Sequence, residues 1–190
     1  MSNATTLLRN KDTGVADNGG RFAAHVRQEA SIGLQVFPND ATNGLTAEQA
    51  SEFVAVLADD IDLHVTIRDS ATDDIADGTH SGRAHALAEI LAYTLTDDGA
   101  DAEAAGEELL NARALGTRVE DGTIDAIPAV RRQMIVDHCR TRAQDAFNAA
   151  EAETEIPDVA AWHFGRYEAF EDTALDLSNP HTDFGGIEIS

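Results

Sequence analysis

Cysteine occurs once in this 190-residue chain, at Cys139, and lysine once, at Lys11. A single cysteine excludes an internal disulfide and a cysteine-rich zinc site, and it fits a reducing cytoplasm. Aromatic residues are only 5% of the chain, although the hydrophobic fraction is 43%. Alanine, leucine and valine must therefore supply most of the core, which favours closely packed helices over a large sheet. No stretch approaches the ~18–20 apolar residues needed to span a bilayer. The start, Met1-Ser2-Asn3-Ala4, lacks a basic segment followed by an apolar run. These absences point to a cytoplasmic protein with no membrane partner. Nucleophile elbows and P-loops are missing too, and Gly19-Gly20 is too short to cradle a phosphate, so no cofactor is expected.

What the chain does have is acid. Its 35 Asp and Glu residues face 13 Lys and Arg, a formal charge of -22. Such a surface repels phosphate backbones, which argues against direct nucleic-acid binding. Two readings of the charge remain. It is a general solubility or salt adaptation, or its carboxylates imitate a phosphate array and occupy a basic nucleic-acid-binding protein as a DNA mimic.

The charge is uneven. Residues 1–30 hold Arg9, Lys11, Arg21 and Arg27 against Asp12, Asp17 and Glu29, a net charge of +1. With Asp12-Thr13-Gly14, Asn18-Gly19-Gly20 and few large apolar residues before Phe22, this segment reads as a flexible arm. It ends in Gly20-Arg21-Phe22-Ala23-Ala24-His25-Val26-Arg27-Gln28-Glu29-Ala30-Ser31-Ile32-Gly33-Leu34. The Gly-x-Phe stretch, polar gap and Glu-x-x-(apolar)-x-Leu end resemble a short N-terminal signature of uncharacterised actinobacterial and actinophage proteins. Ala30 departs from it, standing where a proline or acidic residue is common. The resemblance implies a high-GC bacterial or mobile-element origin, hence the host cytoplasm for a phage product, and carries no known activity.

Beyond the arm, a single α-rich domain over 31–178 and a tail over 179–190 are expected, with about five helices and a minor β contribution. Ser31–Phe37 reads as a short strand closed by Pro38-Asn39-Asp40. Thr46-Ala47-Glu48-Gln49 fits a capping box, opening a helix with Ala50, Phe53, Val54, Leu57 and Ile61 on one face. Leu63, Val65 and Ile67 alternate with His64 and Thr66 as a half-buried strand would. Arg68 to Gly82 reads as a polar loop. A second helix follows from about Gly82 to Leu95, with Ala84, Leu87, Ala88, Leu91 and Leu95 in register, and a third from about Ala100 to Leu115. Val119–Ile124 suggests a tight hairpin. Pro128 suits the first turn of a fourth helix to about Ala150, with Ile135, Val136, Cys139, Ala143, Ala146, Phe147 and Ala150 on one face. Pro157 opens a fifth, ended by Asn179-Pro180.

For chemistry, the histidines come first. His80 and His85 are five apart, which misses the four-residue spacing of a zinc helix motif. A small metal-dependent hydrolase would need His80, His85, His138 and His163 assembled by folding; no metal ligand is assigned. Cys139, on the apolar face of the fourth helix, reads as a core residue. That helix also bears Arg131, Arg132, Arg140 and Arg142. Arg131 and Arg142 flank His138 on nearly the same side, with Asp145 close by. They form either an anion clamp or a tie to acidic neighbouring helices.

On the fifth helix Glu168, Asp172 and Asp176 form a like-charge row at four-residue spacing, with Glu171 beside them. The row is expected to lack lysine or arginine partners. Val159, Trp162, His163, Arg166, Phe170, Ala174 and Leu177 occupy the other face, which must pack on the core or on a partner. Carboxylates so spaced advance ~6 Å per charge, against ~3.4 Å per phosphate in a DNA strand. A mimic therefore needs a second stripe, such as Glu103, Glu107 and Glu108.

The expected function is that of a non-catalytic acidic accessory protein that binds a protein partner. The residues assigned to that contact are Glu168, Glu171, Asp172, Asp176, Trp162 and Arg166, with Arg21 and Phe22 from the arm. The partner is a basic nucleic-acid-binding protein or, in a homo-oligomeric assembly bridged by the arm, further subunits of this chain.

Overall fold

The computed structural model describes residues 44–96, 101–114 and 124–179. The arm with Arg21 and Phe22, the expected strand Ser31–Phe37, nearly all of the expected hairpin and the tail beyond Asn179 lie outside them. The described chain is five helices: α1 Ala47–Ser70, α2 Asp74–Leu95, α3 Ala102–Ala114, α4 Ala129–Ala152 and α5 Pro157–Ser178. Among the described residues the only β pairing is a bridge between Leu45 and Ile127, so the minor β contribution is not found there. That bridge joins the segment before α1 to the segment before α4, through Leu45 N–H to Ile127 O at 2.8 Å and the reverse at 2.9 Å. No helix among the described residues is long and apolar enough to cross a membrane.

Thr46 builds the expected capping box. Its hydroxyl accepts from Gln49 N–H at 3.2 Å, and Gln49 Oε1 accepts from Thr46 N–H at 3.0 Å. Ala50, Phe53, Leu57 and Ile61 then face inward. The expected strand at Leu63–Ile67 is instead helix, because α1 runs on to Ser70. An isolated strand would leave its backbone groups without a ladder, whereas a continuing helix satisfies them internally. The inward stripe Leu57, Ile61, His64 also keeps helical spacing past the apparent alternation, and Leu63 points to solvent.

The expected loop from Arg68 to Gly82 shrinks to Ala71-Thr72-Asp73. Asp73 caps α2, its carboxylate accepting from Ala76 N–H at 2.8 Å. Polar residues over one helical turn and a half are a cap and a solvated first turn as readily as a loop. The two helices from Pro128 and Pro157 start where expected.

Helix α2 is the axis of the bundle, packed against α1, α3 and α5, while α5 also packs against α4. Two glycines set the α2–α5 contact. A Cβ on Gly82 would lie 2.0 Å from the Trp162 carbonyl oxygen, and one on Gly165 would lie 2.0 Å from that of Thr79. The backbones themselves touch, so any side chain there would push the helices apart. The core between them is Ile90, Leu91, Ile135, Val136, Cys139, Phe170 and Leu177, all essentially inaccessible. Burial pushes the Cys139 thiol far up its ordinary range, as a small core residue requires.

Candidate functional site

Two places gather charge, one inside the bundle and one at its surface. The inner one centres on Glu89 of α2, a carboxylate only 2% exposed. Its Oε1 accepts from His138 Nε2 at 3.1 Å and lies 2.6 Å from Arg142 Nε. The second is an ion pair rather than an aligned hydrogen bond, because Arg142 Nε has no well-directed acceptor. Its Oε2 accepts from Arg166 Nη2 at 2.8 Å and Arg142 Nη2 at 3.0 Å. Glu103 of α3 closes the junction from outside, 2.7 Å from Arg142 and 3.4 Å from Arg166. Gly106 makes room for α3 there, since a Cβ on it would meet Glu89 N at 2.7 Å.

Burial alone would raise the Glu89 carboxyl. Hydrogen bonds from His138 and Arg142, with the charges of Arg142 and Arg166, outweigh it and hold the group below the ordinary range. Aromatic rings wall the junction. Tyr93 stacks on His138 at 4.1 Å, Arg131 lies over Tyr93 at 4.5 Å, and Arg166 lies over Trp162 at 4.8 Å.

The arginines of α4 therefore engage the protein's own groups. Arg131 donates to the carbonyls of Tyr93 and Thr96 at the end of α2. Arg132 donates to Leu177 O at 2.8 Å and Asn179 O at 3.1 Å at the end of α5. Arg140 reaches Ser178 Oγ at 3.1 Å. Such contacts satisfy helix-terminal carbonyls and complement the helix dipoles. The anion facing His138 and Arg142 is Glu89, which makes the tie between helices the arrangement seen. Arg166, assigned by sequence to the partner surface, is buried in the same junction. Trp162 is half-buried against Arg166, His85 and His163.

The surface place is an open cleft between α1, α2 and α5. Leu57, Leu87 and Ala169 form its floor, and Asp60, Arg83, Asp172 and Asp176 its rim. Here the carboxylate row has a basic partner after all, from α2: Arg83 binds Glu168 at 3.1 Å and Asp172 at 3.0 Å. Helical spacing along α5 could not reveal an arginine arriving from another helix. Among the described residues, Asp176 and Asp60 have no such ion pair. Desolvation, followed for Asp176 by repulsion from Asp172 and Asp60, raises the Asp176 carboxyl. Asp60 is raised by desolvation against the opposing charge of Arg83, with Asp59 and Asp172 adding repulsion. Glu171 is half-buried beside the row and pairs with no arginine described.

Asp60 of α1 joins the row at the cleft, and Glu103 of α3 does not. Glu103 faces the Arg142–Arg166 side, two residues and roughly 200° around α5 from Glu168. The histidines named for a metal site do not converge. His80 meets His64, His138 meets Glu89, and His85 and His163 both border Trp162. Among the described residues no group of three or more His, Cys, Asp or Glu side chains could hold a metal ion.

Sequence reasoning missed Glu89, Arg83 and Asp60. Glu89 carries a signal: it is the one carboxylate in the run Ala84–Ala92. A helix apolar on all sides is buried, and a charge within it must find partners. Arg83 is likewise the sole arginine of α2. Asp60 has no comparable mark among so many carboxylates.

The chain matches no protein-family model, no curated protein and no solved structure.

Proposed function

We propose that this protein is a non-catalytic acidic accessory protein that binds the basic surface of a protein partner, through the α1–α5 face carrying Asp60, Asp172 and Asp176. One observation carries the reading: among the described residues, most of the arginines bond the protein's own groups, while carboxylates at the cleft lack such a partner. Arg83, Arg131, Arg132, Arg140, Arg142 and Arg166 each bond the protein's own carboxylates, carbonyls or a hydroxyl. Asp60 and Asp176 face the cleft with raised carboxyls and without an ion pair among the described residues, so an incoming guanidinium or ammonium relieves repulsion already present. A nucleic-acid-binding protein is the most concrete partner, because its phosphate-binding surface offers an array of such cations.

The test is affinity capture from the heparin-binding fraction of a high-GC bacterial lysate at low salt. Wild type is compared with an Asp60→Asn, Asp172→Asn, Asp176→Asn variant. Retention of a basic protein that the variant loses, and that salt or competing duplex DNA releases, supports the reading. Equal retention by both proteins, or none by either, overturns it.

A second reading, as a self-associating subunit, draws on α4, where Val130 is 74% and Met134 44% exposed one turn apart. Sedimentation of wild type against Val130→Ser, Met134→Ser decides it: a wild-type oligomer that the variant dissolves favours assembly.

A further inference from the structure

At the border of the cleft, two histidines from neighbouring helices share a hydrogen bond. His64 Nδ1 of α1 and His80 Nδ1 of α2 are 2.9 Å apart. Their ring centroids are 5.1 Å apart and the planes are inclined by 25°. Little more than the two ring radii is added to the nitrogen gap, so the nitrogens meet nearly head-on. Arg83 Nε donates to His64 Nε2 at 3.1 Å. An arginine donates only, which leaves His64 Nε2 as acceptor and places the proton of the neutral ring on Nδ1. His64 therefore donates to His80, and both of its nitrogens are committed.

We propose that His64 and His80 form a proton-operated latch that fastens the C-terminal half of α1 to α2 while both rings are neutral. An added proton has no free place in this arrangement. On His64 Nε2 it would meet the Arg83 N–H head-to-head and set two cations side by side. On His80 Nδ1 it would meet the His64 N–H. Either position breaks one of the two bonds that tie His64 to α2.

The rest of α1 shows why this fastening matters. The helix rests on α2. Its N-terminal end is also secured by the capping box and by the Leu45–Ile127 bridge. Among the described residues its C-terminal end shows no side-chain capping box or β bridge: Arg68 bonds Asp69 of the same helix, and Leu63 is exposed. Beyond Ile61, the pair with His80 and the bond from Arg83 are side-chain hydrogen bonds that join α1 to α2.

The cations nearest His64 oppose its protonation. From α2 it faces His80 and Arg83. From α5, Glu168 and Asp172 both hold Arg83 in place. On α1 itself Asp60 lies one turn earlier, with its carboxyl raised. Desolvation first, then the charges of Arg83 and His80, lower His64 from 6.5 to about 4. A detached α1 exposes the ring and returns it to 6.5. The attachment is therefore at full strength above 6.5 and weakens as pH falls from there toward 4, with no further loss below. Within that window each pH unit shifts the opening equilibrium by up to ~10-fold.

Hydrogen exchange on the full chain, corrected for intrinsic rates, reads this directly. Between pH 7 and 4.5, amides of 61–70 should gain roughly 10- to 100-fold in opening, while those of the α4–α5 core change far less. His64→Gln should remove that pH dependence, whatever it does to the absolute protection. A purely structural role for His64 would instead lower protection equally at both pH values and leave the slope. Nitrogen-15 spectra of the wild-type imidazoles supply a check independent of any variant. They should show His64 protonated on Nδ1 at neutral pH and titrating near 4. Titration near 6.5, or a slope that survives in His64→Gln, overturns the proposal.

Discussion

Glu89 and Asp176 are both carboxylates on the bundle's helices, and their surroundings treat them in opposite ways. Glu89 is sealed in the interior, yet its carboxyl is held down, because two arginines and a histidine converge on it from α4 and α5. Asp176 stands at an open cleft, yet its carboxyl is raised, because desolvation and neighbouring aspartates act on it without an ion pair. Depth does not decide whether a charge is tolerated; compensation does. This chain has few basic residues, and three of its basic side chains converge on the most deeply buried carboxylate described. At the surface, where solvent screens repulsion, it leaves carboxylates uncompensated.

The largest effect should follow from breaking the inner region. Glu89→Ala leaves Arg142 and Arg166 with only the exposed Glu103 as counter-charge and should cost ~3–5 kcal/mol in urea unfolding. A loss under ~1 kcal/mol would show that water reaches the junction. Joint replacement of Glu89, Arg142 and Arg166 by Leu, Met and Leu should recover much of that loss, since no charge is then left alone.

Next comes the contact on which both regions depend. In an exposed helix, Gly→Ala gains ~1 kcal/mol of propensity. At Gly82 the new methyl would meet the Trp162 carbonyl at 2.0 Å, and backbone cannot step aside. A net loss of ~1–3 kcal/mol is expected, and a gain would mean that α2 and α5 are not in backbone contact. Trp162→Ala should fall short of the ~3–5 kcal/mol of a fully buried ring, because Trp162 is only half-buried.

Acid separates the regions by sign. The Glu89 carboxyl is depressed, so its contribution is present above the ordinary 4.5 and disappears as pH falls through its folded value. The Asp60 and Asp176 carboxyls are raised above 3.8, so the fold is relieved as pH falls through their folded values. Melting curves of Asp60→Asn, Asp176→Asn should therefore steepen in acid relative to wild type, and those of Glu89→Gln should flatten. The same slope in all three proteins would dissolve the contrast.

The smallest effects belong to single changes in the cleft. Asp172→Asn removes a half-exposed ion pair with Arg83 and should cost ~0.2–1 kcal/mol. Asp176→Asn removes only repulsion and should stabilise by a few tenths of a kcal/mol at low ionic strength, an advantage that added sodium chloride erases. An equal loss at both positions would mean that Asp176 has a partner in solution.

Which of these features could be read from sequence follows from the range of the signal. The inward face of α4, from Ile135 through Ala150, is written at helical spacing within one segment, and all of it but the half-buried Phe147 is buried as expected. The α1 strand reading failed because five alternating residues cannot show that the helical stripe from Leu57 passes through His64. The α5 row lacked a counter-ion only within α5, and Arg83 arrives from a residue 85 positions earlier than Glu168.

Composition and periodicity determined, with no coordinates, that the bundle is helical, that alanine and leucine fill it, where α1, α4 and α5 begin, and that the surface is acidic. Those properties depend on neighbours a few residues apart, where backbone geometry dictates who meets whom. Only the tertiary structure decided which charges are compensated. Glu89, His138, Arg142 and Arg166 come from three helices, and Asp60, Arg83 and Asp176 from three as well. Whether a carboxylate meets a guanidinium or another carboxylate there depends on how helices are rotated and how closely Gly82 and Gly165 let them approach. A charge acts through space, and the order of residues along the chain does not specify those distances.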